Sequence, residues 1–390
     1  MSHPVLEAAQ VGLNTNLAHA GDLTILDQPR RALLISRTQR HPAPDTPWVS
    51  ATVAATRKLA AQDEALVTGV DRLPFDLALW NSRQLSNAAI IALTQAPTSD
   101  TDWRALLPDR HLLIWPTQSA KEKEALQRRD WLLALLADRA YAIHVRVAGH
   151  MAEVALQLKQ RHCLVETWPM SVARTSAVAL PCSSPTPLLT PWTYLIHFTR
   201  EPDGAFVGEP YTNYLQWLSS GAPYTPRDGL ATLHRILSEK RLRGCGRMIS
   251  DAIPMVCFTA MPLPQALTLR RWRRGLSRWS FSNYGLAIQQ QTLVRLGAQP
   301  VRYVSRRVMD DTPLVERAYL QVEASKMLDW KVEAEWRVGD DVDLSLISVN
   351  DLLAIVATQS EADVLQREFG IKTIMASCLT ARANRRVARF

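Results

Sequence analysis

The chain has 390 residues, more than the roughly 250 to 300 at which one hydrophobic core stops growing. We therefore expect two domains. Hydrophobic residues make up 47% of the chain and charged residues 21%, a composition that excludes a largely disordered protein. The formal net charge of +8 is moderate but unevenly placed along the sequence.

The sequence carries no signal for a membrane or a metal. It has no basic, apolar leader and no run of about 18 apolar residues, so we expect a cytoplasmic protein without a membrane partner. The five cysteines are odd in number and lack C-x-x-C spacing, which argues against a disulfide framework and a zinc site. They are Cys163, Cys182, Cys245, Cys257 and Cys378. No metal is expected.

In the first 170 residues, short apolar runs alternate with segments of helical periodicity. The runs predict strands at residues 32–36, 64–69, 88–93, 111–115 and 140–145. The periodic segments predict helices at residues 48–61, 73–80, 120–137 and 151–161. This alternation predicts a Rossmann-like α/β domain with a parallel sheet, whose ligands bind beyond the carboxyl ends of the strands.

The character of the chain changes after this domain. Residues 167–191 are rich in Ser, Thr and Pro, and we interpret 171–190 as a linker between a domain at 1–170 and one at 191–390. Beyond the linker, strands are predicted at 192–199, at 254–260 and in the runs YGLAIQ, PVRYV, KVEAEWRV and LLAIVA, and a helix at 229–240. Without a strict βαβ order, the second domain is predicted to be α+β.

An arginine-rich stretch lies in the second domain. It contains Arg270, Arg271, Arg273, Arg274 and Arg278, with Trp272 and Trp279 among them. One interpretation is a nucleic-acid surface on which arginines contact phosphates and tryptophans stack on bases. The other is a solvated helix whose tryptophans dock on the core.

Residues 25–166 resemble the DNA-processing protein A (Smf) family and its relatives, the lysine-decarboxylase-like phosphoribohydrolases. The resemblance rests on ALLISRTQRHP, VTGVDRLPFDLAL and the segment that begins QRRDWLLALLADRAYAIHVRVAGH. It implies a nucleotide or phosphate site at the start of a helix. The residues it implies are Ser36 and Arg37 as phosphate ligands, Gly69 and Asp71 as pocket-shaping residues, and Arg129 and Asp130 as its lining.

The chain departs from this pattern in two respects. The glycine-rich turn is reduced to Ala148, Gly149 and His150, and the P-G-G-x-G-T-x-x-E signature of the phosphoribohydrolases is absent. We therefore reject hydrolysis of nucleotide monophosphates. A nucleotide or nucleic acid stays as the expected partner, and the alternative is a degenerate scaffold that only holds the second domain or a partner protein.

Three elements of the second domain suggest chemistry. They are His197 in LIHFTR, Phe258 with Thr259 in VCFTA, and Glu333 with Glu335 in WKVEAEWRV. If the last run is one strand, period-two alternation puts Lys331, Glu333, Glu335 and Arg337 on one face. That face is either an exposed salt-bridge ladder or the wall of a cleft with a carboxylate for a sugar hydroxyl. A lone histidine in an apolar strand is more often a satisfied core residue than a catalyst.

The combination resembles uncharacterised bacterial proteins, some tied to abortive phage infection, that share a late W-x-x-E-x-E-W-R motif and are distantly similar to ADP-ribosyltransferases. The resemblance implies NAD as a substrate and no metal. His197 and Glu335, or Glu333 in its place, are then the catalytic residues. The implied NAD-binding residues are Thr199, Phe258, Thr259, Tyr284 and Arg337.

Two hypotheses of different classes follow. The first is a bacterial defence or toxin-type protein that couples a nucleotide- or nucleic-acid-sensing domain to an NAD-consuming, ADP-ribosyltransferase-like enzyme. The second is a non-enzymatic DNA- or RNA-binding protein, which contacts phosphates through Arg271, Arg273, Arg274 and Arg278. A homo-oligomer or an operon-encoded partner is compatible with either. A nuclease ranks last because the sequence shows no acidic constellation that would obviously hold magnesium.

Overall fold

The computed structural model describes residues 3–36, 41–95, 102–118, 121–169, 192–221, 224–246, 253–270, 272–273, 278–323 and 330–376. Contacts between residues divide the chain into two units. Unit 1 comprises Met1–Ser176 and Glu209–Tyr224, and unit 2 comprises Ala177–Gly208 and Thr225–Phe390. The segment 209–224 lies within the range predicted for the second domain, yet its contacts place it in unit 1.

Unit 1 contains one seven-stranded sheet and six helices among the residues described. The strands are β1 (Leu17–Gly21), β2 (Arg30–Ile35), β3 (Ala65–Gly69), β4 (Ile90–Leu93), β5 (His111–Pro116), β6 (Arg139–His144) and β7 (Leu164–Thr167). The helices are α1 (Pro4–Leu13), α2 (Pro47–Ala61), α3 (Leu73–Arg83), α4 (Glu122–Leu136), α5 (His150–Gln160) and α6 (Tyr211–Ser219). Each strand and helix predicted between residues 32 and 161 is confirmed within a few residues.

The strand order of this sheet is β1-β5-β4-β3-β2-β6-β7, and every pair is parallel except β1 with β5. The Rossmann-like α/β prediction is confirmed. The chain winds outward from β2 through β3 and β4 to β5, and then returns to place β6 on the other side of β2. The carboxyl ends of β2 and β6 therefore form the topological switch point, where ligands of such sheets bind.

Unit 2 contains a second, mostly antiparallel sheet. Its larger strands are β8 (Tyr194–Phe198), β10 (Met255–Thr259), β13 (Gly285–Gln289), β17 (Glu335–Gly339), β19 (Leu352–Val356) and β20 (Lys372–Met375). The shorter strands are β9 (Arg241–Leu242), β11 (Trp272–Arg273), β12 (Arg278–Trp279), β14 (Gln299–Pro300), β15 (Arg302–Val304), β16 (Leu320–Val322) and β18 (Val342–Asp343). The main sheet has the order β14-β17-β10-β8-β13-β19-β20, in which only β19 and β20 pair in parallel.

The helices of unit 2 are α7 (Gly229–Glu239), α8 (Leu263–Thr268), α9 (Gln290–Arg295), α10 (Arg306–Asp311), α11 (Leu314–Arg317) and α12 (Gln359–Phe369). Apolar side chains cover both faces of the sheet. Leu195, Phe258 and Leu286 belong to the cluster on one face, and Ile196 and Phe198 to the cluster on the other. The sheet is thus buried on both sides around its central strands, which explains the continuous apolar runs in the sequence.

Two predictions about local structure are wrong. The run at 331–338 is not one strand: Trp330–Glu333 forms a 3-10 helix, Ala334 has a φ of 44°, and β17 begins at Glu335. The left-handed residue ends the alternation, and its carbonyl accepts the N–H of Ala260 at 3.0 Å. The helical interpretation of the arginine-rich stretch is also wrong for those of its residues that are described, because β11 and β12 pair antiparallel.

Candidate anion-binding site

One serine joins the two strand ends at the switch point of unit 1 by hydrogen bonds. The Ser36 N–H donates to the carbonyl of His144 at 2.7 Å, and the Ser36 hydroxyl accepts the N–H of Arg146 at 3.0 Å. Both bonds join the end of β2 to the end of β6. Ser36 is only 7% exposed, so it positions the two loops from the interior of unit 1. Arg37, its predicted companion, lies outside the described residues.

Helix α5 begins at His150, shortly after Arg146 in the chain. Its N-cap is Gly149, with a φ of 145°, and no heavy atom lies within 4 Å of the position that a Cβ would take. Glycine suits this backbone conformation, which L side chains rarely adopt. Residues 146–149 are exposed. The positive end of an 11-residue helix, whose N-cap has no side chain, therefore opens at the switch point.

Arg129 and Asp130 form an ion pair inside unit 1 and do not line an open pocket. Each side chain is 1% exposed, and Arg129 Nη2 lies 2.8 Å from Asp130 Oδ1. Arg129 Nη1 also donates to the carbonyl of Val70 at 2.6 Å, which fixes the loop between β3 and α3. A Cβ on Gly69 would lie 2.8 Å from the ring of Phe75 and 3.1 Å from Arg129 Nε. The glycine thus makes room for the arginine.

The second oxygen of Asp130 faces the helix start. Asp130 Oδ2 lies 3.5 Å from Arg72 Nη1 and 3.7 Å from His150 Nε2. His150 also packs edge-on against Trp131, at 5.2 Å between ring centroids. One carboxylate therefore ties the loop after β3 and the first residue of α5 to α4. Sequence reasoning missed the role of Arg72, although its place directly after Asp71 on the loop beyond β3 was a usable signal.

Asp71 stands on the same loop in a left-handed conformation, with a φ of 64°. Burial raises the pKa of this carboxyl above its ordinary value, and the nearby charge of Arg129 lowers it in part. Among the predicted residues, the structure therefore brings Ser36, Gly69 and Asp71 to the carboxyl edge of the sheet. The arginine–aspartate pair supports this edge from beneath.

The predicted site in unit 2 is not brought together. Thr259 of β10 pairs with Ile196 on one side and with Glu335 on the other, so these three side chains point to one face of the sheet. His197 is the next residue along β8 and points to the opposite face, where its ring lies 5.9 Å from that of Phe258. His197 and Glu335 cannot contact the same ribose across the sheet.

The polar groups predicted to bind NAD have partners within unit 2. Glu335 Oε1 accepts from Arg337 Nε at 2.8 Å, and Arg337, which is 3% exposed, also donates to the carbonyl of Ala318 at 2.6 Å. Three hydroxyls donate internally: Thr199 to the Gly229 carbonyl at 2.7 Å, Thr259 to the Glu333 carbonyl at 2.5 Å, and Tyr284 to Glu361 at 3.1 Å. The roles of these residues in binding NAD stay a prediction of the resemblance.

His197 is a half-buried histidine whose ring is hydrogen-bonded within unit 2. Its Nδ1 donates to the carbonyl of Cys257 at 2.9 Å, which fixes the tautomer. Burial lowers the pKa of His197 to about 4, while the bond to Cys257 opposes the shift and the charge of Arg200 adds to it. The imidazole is therefore neutral at pH 7.

Within the described ranges, no helix is both long and apolar enough to span a bilayer. The same part of the chain contains no group of three or more His, Cys, Asp or Glu residues that could hold a metal ion. Of the predicted nucleic-acid ligands, Arg271 and Arg274 lie outside the described residues. For Arg273 and Arg278 only the backbone is described.

No protein-family profile matches the chain, and no curated protein matches it. Among solved structures, the chain is similar to DNA processing protein A from Helicobacter pylori, studied for its binding of single-stranded DNA. The identity is 18%, the TM-score 0.33, and the match covers 40% of this chain and 73% of that one. DNA processing protein A from Streptococcus pneumoniae is similar at 15% identity and a TM-score of 0.34, over 40% of this chain and 56% of that one.

A molybdenum cofactor carrier protein from Chlamydomonas reinhardtii is also similar, at 13% identity and a TM-score of 0.26. That match covers 36% of this chain and 76% of the carrier protein. The chain thus has low-identity similarity, over part of its length, to DNA processing protein A, which is the resemblance predicted for residues 25–166.

Proposed function

We propose that unit 1 binds a phosphate group of a nucleotide or nucleic acid at the carboxyl edge of its parallel sheet. The observation that carries this proposal is the start of α5 at Gly149, on the loop that follows the Ser36–Arg146 hydrogen bond joining β2 to β6. A helix start at a topological switch point offers backbone N–H groups and a positive dipole end to an anion.

The charges around this helix start support an anionic ligand. Arg146 is exposed on the loop that leads to α5, and Arg72 and His150 flank the buried carboxylate of Asp130. Arg129 pairs with Asp130, so this interior pair adds no net charge. Arg72 and Arg146 attract an anion, while Asp71 on the same edge and Glu153, which lies 3.3 Å from His150, oppose it. The net charge of +8 for the chain acts in the same direction as the arginines.

The proposal is tested by adding one negative charge at the helix start. Ala148→Glu places a carboxylate on the exposed loop before Gly149, and Gln157→Glu places the same charge on an exposed position farther along α5. Binding is followed by fluorescence anisotropy with a labelled single-stranded oligonucleotide, and by calorimetry with adenosine monophosphate. We expect Ala148→Glu to weaken binding by about tenfold, because a repulsive charge replaces part of the dipole attraction.

Gln157→Glu should leave the affinity within about twofold of the wild type, since its charge lies beyond the first turn of the helix. Equal losses in the two variants would show a general charge effect and contradict a site at Gly149. A steep fall of affinity with rising salt for the oligonucleotide, together with a shallow fall for the mononucleotide, would indicate that the site contacts several phosphates of a nucleic acid.

The defence role and the NAD-consuming activity stay untested hypotheses from the sequence. They are not part of this proposal, because the sheet register separates His197 from Glu335.

A further inference from the structure

Helix α6 lies in the C-terminal half of the sequence, yet it belongs to unit 1. It follows β8 of unit 2 in sequence, but it packs against α2 and α3 of unit 1. Tyr214, Leu215 and Leu218 are its buried residues. The rings of Tyr211, Tyr214 and Trp217 follow one another along the helix at 6.2 and 5.9 Å between centroids. The docking surface of α6 is therefore mainly aromatic and apolar.

Two side-chain hydrogen bonds join α6 to α3. The Tyr211 hydroxyl donates to Asp76 Oδ2 at 2.9 Å, and Asn81 Nδ2 donates to Ser219 Oγ at 3.0 Å. The first bond includes a carboxyl group that can gain or lose a proton. The second has two neutral partners that do not titrate, so the two ends of α6 respond differently to pH.

Asp76 is only 6% exposed with α6 in place. The groups that act on its carboxyl are Tyr211 from α6, Asp71 from the loop after β3, and Arg129 from α4. Burial is the largest effect and raises the pKa of Asp76 to about 7. The Tyr211 bond lowers this pKa, the Asp71 charge raises it, and a hydrogen bond from the Asp71 backbone and the charge of Arg129 lower it. Burial and the Asp76 charge raise the pKa of Tyr211, so its hydroxyl stays a donor.

We propose that α6 is a protonation-controlled docking helix, held on α3 when the Asp76 carboxyl is protonated and loosened when that carboxyl ionises. Undocking exposes Asp76 to water, where an aspartate has a pKa of about 3.9. Docking therefore takes up a proton between the two pKa values, and linkage favours the docked state on the acid side. This stabilisation is complete below about pH 4 and is lost as the pH rises through about 7.

The pH response of α6 requires no ligand and is separate from the proposed anion site. The residues before Glu209 and after Tyr224 belong to unit 2. The switch therefore acts on Glu209–Tyr224, the segment by which the chain leaves unit 2, enters unit 1 and then returns to unit 2. A change from mildly acidic to mildly basic conditions releases that stretch from unit 1 while the buried parallel sheet stays folded.

Hydrogen–deuterium exchange on the full chain tests the proposal. Protection of peptides from residues 211–219 is measured between pH 5 and pH 8, corrected for the intrinsic exchange rate, with a peptide from β3 as a reference for global unfolding. In the wild type we expect protection of α6 to fall on the order of tenfold or more from pH 5 to pH 8, while β3 stays protected. In Asp76→Asn we expect protection of α6 that does not change with pH.

Tyr211→Phe keeps the aromatic packing but removes the donor to the ionised carboxylate. It should make the pH dependence steeper, and it serves as the second test if Asp76→Asn does not fold. Ser219→Ala is the matched control, which should lower protection by a similar factor at every pH. Protection in the wild type that is flat with pH, or an unchanged pH dependence in Asp76→Asn or Tyr211→Phe, would overturn the proposal.

Discussion

The Ser36 hydroxyl accepts the N–H of Arg146 at 3.0 Å and so joins the two loops that diverge at the switch point of unit 1. The bond crosses 110 positions in sequence but only one strand gap in the sheet. The bond therefore sets the separation of the two loops that would contact a phosphate.

Ser36→Ala should weaken oligonucleotide binding severalfold and lower the free energy of unfolding by about 1 kcal/mol, the usual net contribution of one hydrogen bond. The loop after β6 loses its tie to β2 and samples more positions. Anisotropy and urea denaturation measure the two effects. Ser50→Ala on α2, whose hydroxyl bonds only within the first turn of its helix, should leave binding unchanged. A Ser36→Ala variant with wild-type affinity would contradict a positioning role.

Asp130→Asn should destabilise unit 1 by about 3 to 5 kcal/mol, because it leaves the charge of Arg129 buried without its counter-ion. Urea denaturation followed by tryptophan fluorescence measures the loss. The double variant Arg129→Met/Asp130→Leu should be more stable than Asp130→Asn, since neither member of the pair is then left as a buried, unpaired charge. A cost below 1 kcal/mol for Asp130→Asn would mean that the pair is solvated in solution.

Gly69→Ala should cost about 1 to 3 kcal/mol, because the added methyl would lie 2.8 Å from the ring of Phe75. Thermal denaturation gives the change in midpoint. Adding Phe75→Leu shortens the clashing side chain and should recover part of the loss. If the double variant is no more stable than Gly69→Ala, the contact with Arg129 Nε is the one that excludes a side chain.

Incubation of the full chain with NAD should release no nicotinamide, because His197 and Glu335 point to opposite faces of the sheet. Chromatography after incubation with DNA, RNA or cell lysate as acceptor provides the measurement. Glu335→Gln should instead lower stability, since Arg337 is 3% exposed and loses its counter-ion. Glu323→Gln, at an exposed ion pair with Lys331, is the control. Nicotinamide release that Glu335→Gln abolishes would restore the ADP-ribosyltransferase hypothesis.

His197 should make unit 2 less stable in acid. Its folded pKa of about 4 lies below the unfolded value of about 6.5, so the unfolded chain binds more protons between these two pH values. The contribution of the neutral imidazole is complete above about pH 6.5 and is lost as the pH falls through about 4. His197→Gln, which keeps an N–H for the Cys257 carbonyl, should remove this part of the pH dependence. Denaturation curves at pH 4.5 and 7.5 compare the two proteins.

Local patterns determined much of the fold. The alternating apolar runs and helical periods predicted β2 to β6 and α2 to α5, because strand and helix periods reflect hydrogen bonding and burial within a short stretch of chain. The parallel sheet follows from that order, and with it the carboxyl edge where Ser36, Gly69 and Asp71 lie. By contrast, β1 and β7 were missed, since Leu17–Gly21 and Leu164–Thr167 are edge strands with little apolar content.

The tertiary structure decided which residues meet. Sequence spacing put Glu333 and Glu335 on one face, but the left-handed Ala334 breaks the strand between them. Sequence spacing also left open which face of the sheet His197 of β8 points to, because that depends on pairing with β10, about 60 residues away. The burial of Arg129 and the transfer of α6 to unit 1 likewise result from contacts between distant segments. Such contacts are selected by the free energy of the whole packed unit, which no local window of sequence contains.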